Sequence, residues 1–171
     1  MNPQDFAIHP ANARLIWLVP GLSMLAAVIG IGFLLAQEPR AWIALPAILA
    51  SLGLMTLVFR RRRVSLADGI LTVAAGLNTR RVATGELELA SARIVDLRER
   101  SDFKPMFKVF GTRVPGLSMG HFRLRDRSRA FVLLTDASRV LVLNERSGRR
   151  LLLSLDRPQT LLDALKAAPR S

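Results

Sequence analysis

The sequence predicts a membrane α-helical hairpin followed by an all-β split barrel of about seven to eight antiparallel strands, closed by a C-terminal capping α-helix. Two uncharged runs, a series of short alternating segments after residue 63, and one final amphipathic stretch predict this order. The composition agrees with it. Because the 171 residues are 50% hydrophobic yet carry a net charge of +12, apolar and charged residues must be separated along the chain.

The two uncharged runs cover residues 15–36 and 41–59. At about 1.5 Å per residue, the first makes a helix of about 33 Å, enough to cross a hydrocarbon layer of about 30 Å, and the second is close to the minimum span. Only residues 37–40 separate them, so we predict an antiparallel transmembrane hairpin. A cleavable signal peptide is the alternative for the first run, but that run is too long for a signal and Leu34 disfavours cleavage after Ala36.

A cluster of basic residues sets the predicted orientation. The second run is followed directly by Arg60, Arg61, Arg62 and Arg63, whereas the 37–40 connection holds one Arg and one Glu. The positive-inside bias predicts that this cluster, the N-terminal tail 1–14 and the domain 64–171 are all cytoplasmic, with two passes between them. The cluster is also a candidate for contact with anionic lipids, because each cation near an anionic leaflet contributes about 1 kcal/mol.

The interiors of the two runs lack the chemistry of a transporter. Neither run holds an ionisable residue, so the sequence offers no proton relay or ion ligand within the membrane. Trp17 and Trp42 lie near the ends of their runs, where indole rings favour the interface. The hairpin is therefore predicted to be a membrane anchor.

Residues 64–171 show the pattern of strands joined by short turns. Asp68-Gly69 lies between two short strand-like segments and is the strongest short hairpin signal in the chain. Further strands are predicted at 80–83 and 92–97 and, after a loop, in a meander at 121–125, 129–135, 140–144 and 149–155. Because no helical stretch separates these segments, the sheet is predicted to be largely antiparallel.

One amphipathic helix ends the predicted fold. Asp156 is the expected N-cap, with Gln159 completing a capping box and Pro158 tolerated in the first turn. An apolar stripe follows, formed by Leu161, Leu162, Leu165 and Ala168. We expect this helix to cover the open end of the bent sheet, where strand edges would otherwise be exposed.

The strand region carries a characteristic series of glycines and hydrophobic residues. They are Gly111-Thr112, Pro115-Gly116-Leu117, Gly120-x-Phe122-x-Leu124-x-Asp126, 130–136, 140–143 and 151–154. From about residue 64 onward the chain resembles the bacterial PH-domain (pleckstrin-homology-like) membrane proteins, in which a short membrane hairpin precedes the domain. The resemblance implies a PH-like split barrel at the bacterial cytoplasmic (inner) membrane and a membrane-tethered binding module. It implies no particular activity.

The hairpin at 122–129 is the first candidate for an anion site. Alternation along Phe122-Arg123-Leu124-Arg125 sends the two apolar side chains to one face and the two arginines to the other. With the turn and the following strand, four guanidiniums are predicted to converge: Arg123, Arg125, Arg127 and Arg129. Guanidinium geometry suits bidentate phosphate contact, and a simply solvated face is the alternative interpretation.

Segment 103–110 is the second candidate surface and is predicted to be a loop. Its sequence, FKPMFKVF, interleaves lysines with aromatic rings that could dip into a bilayer surface, as interfacial segments do. The residues expected to take part are Phe103, Lys104, Phe107, Lys108 and Phe110. Equally, Phe107 and Phe110 could fold back over the core beneath a long loop.

These features favour a non-enzymatic, membrane-anchored binding module that contacts anionic lipid headgroups of the cytoplasmic leaflet, or a protein or peptide partner, and that could form homo-oligomers. The alternative is an accessory or assembly subunit of a larger membrane complex. An enzyme is not predicted, because the chain has no Cys, only two His and no evident nucleophile–base pair, metal cluster or paired carboxylates. No cofactor or metal is predicted, and nucleic-acid binding is disfavoured because no recognition motif accompanies the positive charge.

Overall fold

A computed structural model describes residues 4–10, 12–37, 43–99 and 101–169. Two helices lie near the N-terminus, α1 at Ala13–Gln37 and α2 at Ala44–Arg60, and most of their large apolar side chains are exposed. Within the described residues, α1 is the one helix long and apolar enough to cross a membrane, and α2 is shorter. Most of the predicted connection, together with Trp42, lies outside the described residues.

The two helices meet the rest of the chain at neighbouring points. Ile16, near the start of α1, and Phe59, near the end of α2, are buried in the same core as the strands. The ring of Trp17 meets the ring of Phe59 edge-on, with 5.8 Å between their centroids. The chain therefore enters α1 and leaves α2 at the same side of the molecule.

Ten strands lie in the described part of the chain: β1 Gln4–Phe6, β2 Arg62–Ala67, β3 Ile70–Ala75, β4 Asn78–Ala83, β5 Arg93–Val95, β6 Pro105–Val114, β7 Leu117–Leu124, β8 Arg129–Leu134, β9 Val140–Asn144 and β10 Arg150–Ser154. They form a four-stranded sheet in the order β1-β2-β3-β4 and a six-stranded sheet in the order β5-β9-β10-β8-β7-β6. A final helix, α3, covers Pro158–Ala167. This β-rich domain with a C-terminal helix is the predicted class of fold.

The turn between β2 and β3 forms as predicted. Asp68 and Gly69 have φ values of 49° and 72°, so both lie in the left-handed region that a two-residue hairpin turn requires. The strands on either side pair in register from Arg62 with Ala75 to Ala67 with Ile70. Both strands are longer than the sequence pattern predicts, and β2 begins inside the arginine cluster.

The predicted meander is wrong in its strand order. β10 lies between β8 and β9, antiparallel to β9 but parallel to β8, with Arg150 opposite Ala130. Leu151, Leu152 and Leu153 are fully buried and their side chains alternate between two cores, so β10 suits a central position. The link from β8 to β9 spans residues 135–139, which is long enough to step across one intervening strand.

The N-terminal tail contains a strand that the sequence pattern does not predict. β1 pairs antiparallel with β2, with Phe6 opposite Val64, and the Arg63 guanidinium forms two hydrogen bonds with the Asp5 carboxylate at 2.5 and 2.9 Å. The tail continues along the domain, where Thr135 Oγ1 donates a hydrogen bond to the carbonyl of His9. Residues 4–10 therefore belong to the folded domain.

The predicted loop before the meander is largely a strand. β6 runs for ten residues along β7 and forms one edge of the six-stranded sheet. Its pairing shifts register between Pro105 and Phe107 and again between Lys108 and Phe110. These two irregularities break the side-chain alternation of a regular strand, which explains why the sequence pattern suggests a loop.

The main core lies between the two sheets, and α3 closes one end of it. Leu161, Leu162 and Leu165 of α3 are buried there, as the apolar stripe predicts. The predicted capping box is wrong, because Arg157 occupies the N-cap position without a side-chain cap and Gln159 instead donates to the Asp163 carboxylate at 2.8 Å. The Asp156 carboxylate lies 3.1 Å from His9 Nδ1 on the N-terminal tail.

Candidate functional site

The hairpin of β7 and β8 carries part of the predicted anion site. Phe122 and Leu124 are buried, whereas Arg123 and Arg125 are exposed, in agreement with the alternation of the strand. Arg123 and Arg129 are directly opposite each other on the two antiparallel strands. Neither has an ion-pair partner among the described residues. Like charges directly opposite each other on two strands repel, so this pair is electrostatically unfavourable.

A cavity of about 340 Å³ lies beside this pair, and we call it the cationic pocket. Its lining comprises Arg80, Val109, His121, Phe122, Arg123, Arg129, Ala130, Phe131, Glu145 and Arg149. The structure therefore brings Arg123 and Arg129 to the pocket, whereas Arg125 and Arg127 are not among the residues that line it. The position of Arg127 in the turn, with φ of 66°, is held by Ser128, whose backbone N–H and hydroxyl donate to the Asp126 carboxylate.

Four polar residues of the pocket were not predicted from the sequence, and one of them is Glu145 in the β9–β10 turn. Arg80 comes from β4, Arg149 from the β9–β10 turn, and His121 from β7, two residues before Arg123. No sequence spacing links these positions, because they come from two different sheets and from strands that are distant in the chain. Four arginines face one glutamate, so the lining has an excess of positive charge.

Glu145 and Arg80 form a fixed ion pair in the wall of the pocket. The Glu145 carboxylate is almost fully buried and accepts hydrogen bonds from Arg80 Nη2 at 2.7 Å and Nε at 3.3 Å. The Ser147 hydroxyl donates to the same carboxylate at 2.9 Å. Glu145 is thus satisfied by its neighbours, which leaves Arg123, Arg129 and Arg149 as the unpaired cations of the lining.

His121 lies at the side of the pocket with its ring edge-on to Phe131, at 5.0 Å between centroids. Partial burial lowers the pKa of His121 below its ordinary value of 6.5, and the charges of Arg80 and Arg149 lower this pKa further. The imidazole is therefore neutral at neutral pH and can serve as a hydrogen-bond donor or acceptor.

Strand β6 presents a run of exposed apolar residues beside the pocket. Five consecutive side chains are exposed, and we call them the β6 ridge: Met106, Phe107, Lys108, Val109 and Phe110. Four of the five are apolar, a pattern that is unfavourable in water and is typical of an interaction surface. Val109 also lines the cationic pocket, so the ridge and the pocket adjoin.

The β6 ridge lies next to the base of the helices. A groove of about 250 Å³ joins Lys108, Val109 and Phe110 to Leu77 in the β3–β4 turn, and Leu77 is exposed as well. The preceding residue, Gly76, donates its N–H to the Arg61 carbonyl at 2.8 Å, so the turn packs against the end of α2. α1 also approaches β6. One end of the ridge therefore lies near the base of α2.

Two glycines allow β6 and β7 to approach closely at this point. Gly111 and Gly120 are register partners with φ values of 153° and 115°. A Cβ atom on Gly120 would lie 2.5 Å from the carbonyl oxygen of Phe110 and 2.7 Å from Gly111 Cα. No side chain fits there, so the two glycines fix the course of β6 and the position of Phe110.

Not all residues predicted for the interfacial loop belong to this surface. Phe103 is buried in a second core on the outer face of the six-stranded sheet, between the guanidiniums of Arg93 and Arg150 at 4.8 and 5.0 Å from its ring centroid. This placement corrects its assignment as a membrane-facing residue. Lys104 is exposed, next to the start of β6.

The arginine cluster is divided between a helix end and a strand. Arg60 ends α2 and Arg61 follows it, and both side chains are exposed. Arg62 and Arg63 belong to β2, where Arg63 pairs with Asp5. Arg60, Arg62 and Arg63 line a groove of about 440 Å³ together with the N-terminal segment 5–10. In the described part of the chain no three His, Asp or Glu side chains lie close enough to hold a metal ion.

Comparison with known proteins identifies the β-domain. The sequence model of the family described as Bacterial PH domain matches residues 62–168, more than half of the chain. The match starts at the first residue of β2 and ends just after α3, so the N-terminal helices lie outside it. No curated protein and no solved structure matches the chain.

Proposed function

The chain belongs to the bacterial PH domain family, and on that basis we propose that it is a non-enzymatic binding module anchored in the bacterial cytoplasmic membrane. Its α1–α2 segment is the anchor, and both termini lie in the cytoplasm. The β6 ridge rests on the anionic inner leaflet, where it contacts lipid headgroups. The observation that carries this proposal is the groove that joins the ridge to the β3–β4 turn, which packs against the end of α2.

The pairing of β1 with β2 supports two passes through the membrane. β1 precedes α1 and β2 follows α2, yet the two strands are neighbours in one sheet. If α1 crosses the bilayer, the chain must cross back before Arg62, and α2 is the segment available to do so. α2 is about 25 Å long, and a span shorter than the hydrocarbon layer is accommodated by local thinning of the bilayer.

The charges around the ridge fit an anionic surface. Lys108 lies within the ridge, Lys104 precedes it, and Arg60 and Arg61 are exposed at the end of α2. Arg60 and Arg61 lie at the base of α2, and Lys108 lines the groove that reaches the β3–β4 turn beside it. Each cation held near an anionic leaflet contributes about 1 kcal/mol, while the apolar side chains gain from leaving water.

The anchor and its orientation can be tested by labelling single cysteines, since the chain has none of its own. We expect Glu38→Cys to react with a membrane-impermeant maleimide added to intact cells. Lys166→Cys, in the exposed last turn of α3, should react only after the cells are opened. Reaction of both positions in intact cells, or of neither before opening, contradicts the proposed topology.

Purification in mild detergent separates the binding module from the alternative of an accessory subunit. A binding module should purify as a monomer or homo-oligomer with bound lipid. Recovery of a second membrane protein at fixed stoichiometry would instead show that the exposed helices pack into a larger complex, and would overturn the proposal.

A further inference from the structure

We propose that the cationic pocket is a binding site for a phosphate monoester, held by Arg123, Arg129 and Arg149. This site goes beyond contact between the β6 ridge and a bilayer surface, because the pocket is a cavity with its own lining. It also differs from the hairpin predicted by sequence alone, since Arg125 and Arg127 are not part of it.

The unpaired charges of the pocket are the first reason. Arg123 and Arg129 are direct register partners, and Arg149 joins them from the β9–β10 turn. None of the three has an ion-pair partner among the described residues. Bringing like charges together costs free energy unless an anion lies between them.

Glu145, the one carboxylate in the lining, does not neutralise Arg123, Arg129 and Arg149. Glu145 is committed to Arg80 and to the Ser147 hydroxyl, and its backbone N–H donates to the carbonyl of Arg149 at 2.8 Å. This arrangement fixes the turn that presents Arg149. Glu145 and Arg80 therefore build the wall of the site and leave the other guanidiniums available.

The ligand class follows from charge and shape. A phosphate monoester offers three terminal oxygens and a charge near −2 at neutral pH, which suits several guanidinium forks better than a planar carboxylate or a singly charged phosphodiester. The lining also includes apolar side chains, among them Val109, Phe122 and Phe131. These can contact the organic part of the ester.

The protonation of His121 can be used to follow ligand binding at this site. The imidazole shares the pocket with Arg80, Arg123, Arg129, Glu145 and Arg149, which are the charged groups facing it from the surrounding strands and turn. A bound dianion offsets the positive charges that disfavour its protonated form, so ligand binding must favour uptake of a proton by His121. This coupling is measurable because the chain has only two histidines.

The test is an NMR titration of the full chain in detergent micelles, with labelled histidine and inorganic phosphate or glycerol phosphate as probes. We expect either probe to raise the pKa of His121 and to leave the His9 signal unchanged. Arg123→Gln and Arg149→Gln should each weaken binding about tenfold, whereas the matched changes Arg125→Gln and Arg127→Gln should have little effect.

The same measurement in nanodiscs distinguishes the source of the phosphate. A response to phosphatidic acid but not to phosphatidylglycerol identifies a lipid monoester, and a response to the soluble probes alone identifies a free phosphorylated ligand. The site is overturned if His121 responds to none of inorganic phosphate, glycerol phosphate and phosphatidic acid. An equal loss of binding in the Arg125→Gln control would also overturn it, since charge alone would then explain the effect.

Discussion

Arg123 and Arg129 face each other as direct register partners on β7 and β8, and neither has an ion-pair partner among the described residues. A pair of like charges in this position weakens the sheet in the absence of an anion. The two residues therefore link the stability of the β-domain to the occupancy of the cationic pocket.

Removing one charge of the Arg123–Arg129 pair should stabilise the protein when no anion is bound. We expect Arg129→Gln to raise the free energy of unfolding of the solubilised full chain by about 0.2–1 kcal/mol in phosphate-free buffer. Phosphate should then stabilise the wild type more than the variant. Urea unfolding followed by circular dichroism measures both effects, with Arg125→Gln as the control. A stability loss in Arg129→Gln without phosphate would contradict the repulsion.

The ion pair in the pocket wall should be asymmetric in its effect on stability. Arg80→Met leaves the buried Glu145 carboxylate without its cation, so we expect a loss of about 3 kcal/mol in unfolding free energy. Glu145→Gln should reduce the unfolding free energy by less, because the Arg80 side chain is about a quarter exposed and remains hydrated. The double variant should be more stable than Arg80→Met alone, and a strictly additive double variant would exclude the pair as an energetic unit.

The lowered pKa of His121 predicts a dependence of stability on pH. The unfolded chain takes up this proton near the ordinary pKa of 6.5, while the folded chain resists it until a lower pH. Stability should therefore be constant above that value and fall as the pH decreases from about 7 to 5. In His121→Asn the decrease in stability that is due to this group should disappear, whereas in His9→Asn it should remain. An identical pH profile for wild type and His121→Asn would contradict the assignment.

The close approach of β6 and β7 predicts a strong effect at Gly120. Alanine there places Cβ 2.5 Å from a backbone oxygen at a φ of 115°, so we expect a loss of about 3 kcal/mol or more, or failure to fold. Gly148→Ala is the matched control, because Gly148 also has a positive φ, 76°, but has nothing within 4 Å of the added Cβ. That variant should lose only about 1–2 kcal/mol, measured by thermal unfolding.

Local signals in the sequence predicted the local parts of the fold. Asp68-Gly69 specifies its turn through backbone conformation, and the apolar stripe of α3 specifies its buried face through helical spacing. β9 lies at the predicted residues 140–144 because four consecutive apolar residues between polar turns form a strong strand signal. Each of these signals depends only on neighbouring residues.

The parts of the fold that the sequence did not predict depend on contacts between residues that are distant in the chain. The position of β10 beside β8 brings Arg149 to the β7–β8 hairpin, and Arg80 reaches the same pocket from the other sheet. Three consecutive buried leucines in β10 were a usable signal, because a strand buried on both faces belongs in the middle of a sheet. β1 has only three residues, and its pairing with β2 has no signature in the sequence.

The proposed contact between the β6 ridge and the bilayer can be tested directly by measuring how deeply the ridge enters the lipid. An environment-sensitive fluorophore is attached to a single cysteine, either in Phe110→Cys on the ridge or in Lys166→Cys in the last turn of α3. The two labelled proteins are then compared in nanodiscs that contain phosphatidylglycerol. α3 ends near Thr84, at the far end of β4 from the turn beside α2. We predict that lipids with brominated chains quench the label at position 110 and not the label at position 166. Equal, water-like emission from both positions, without quenching, would contradict the account.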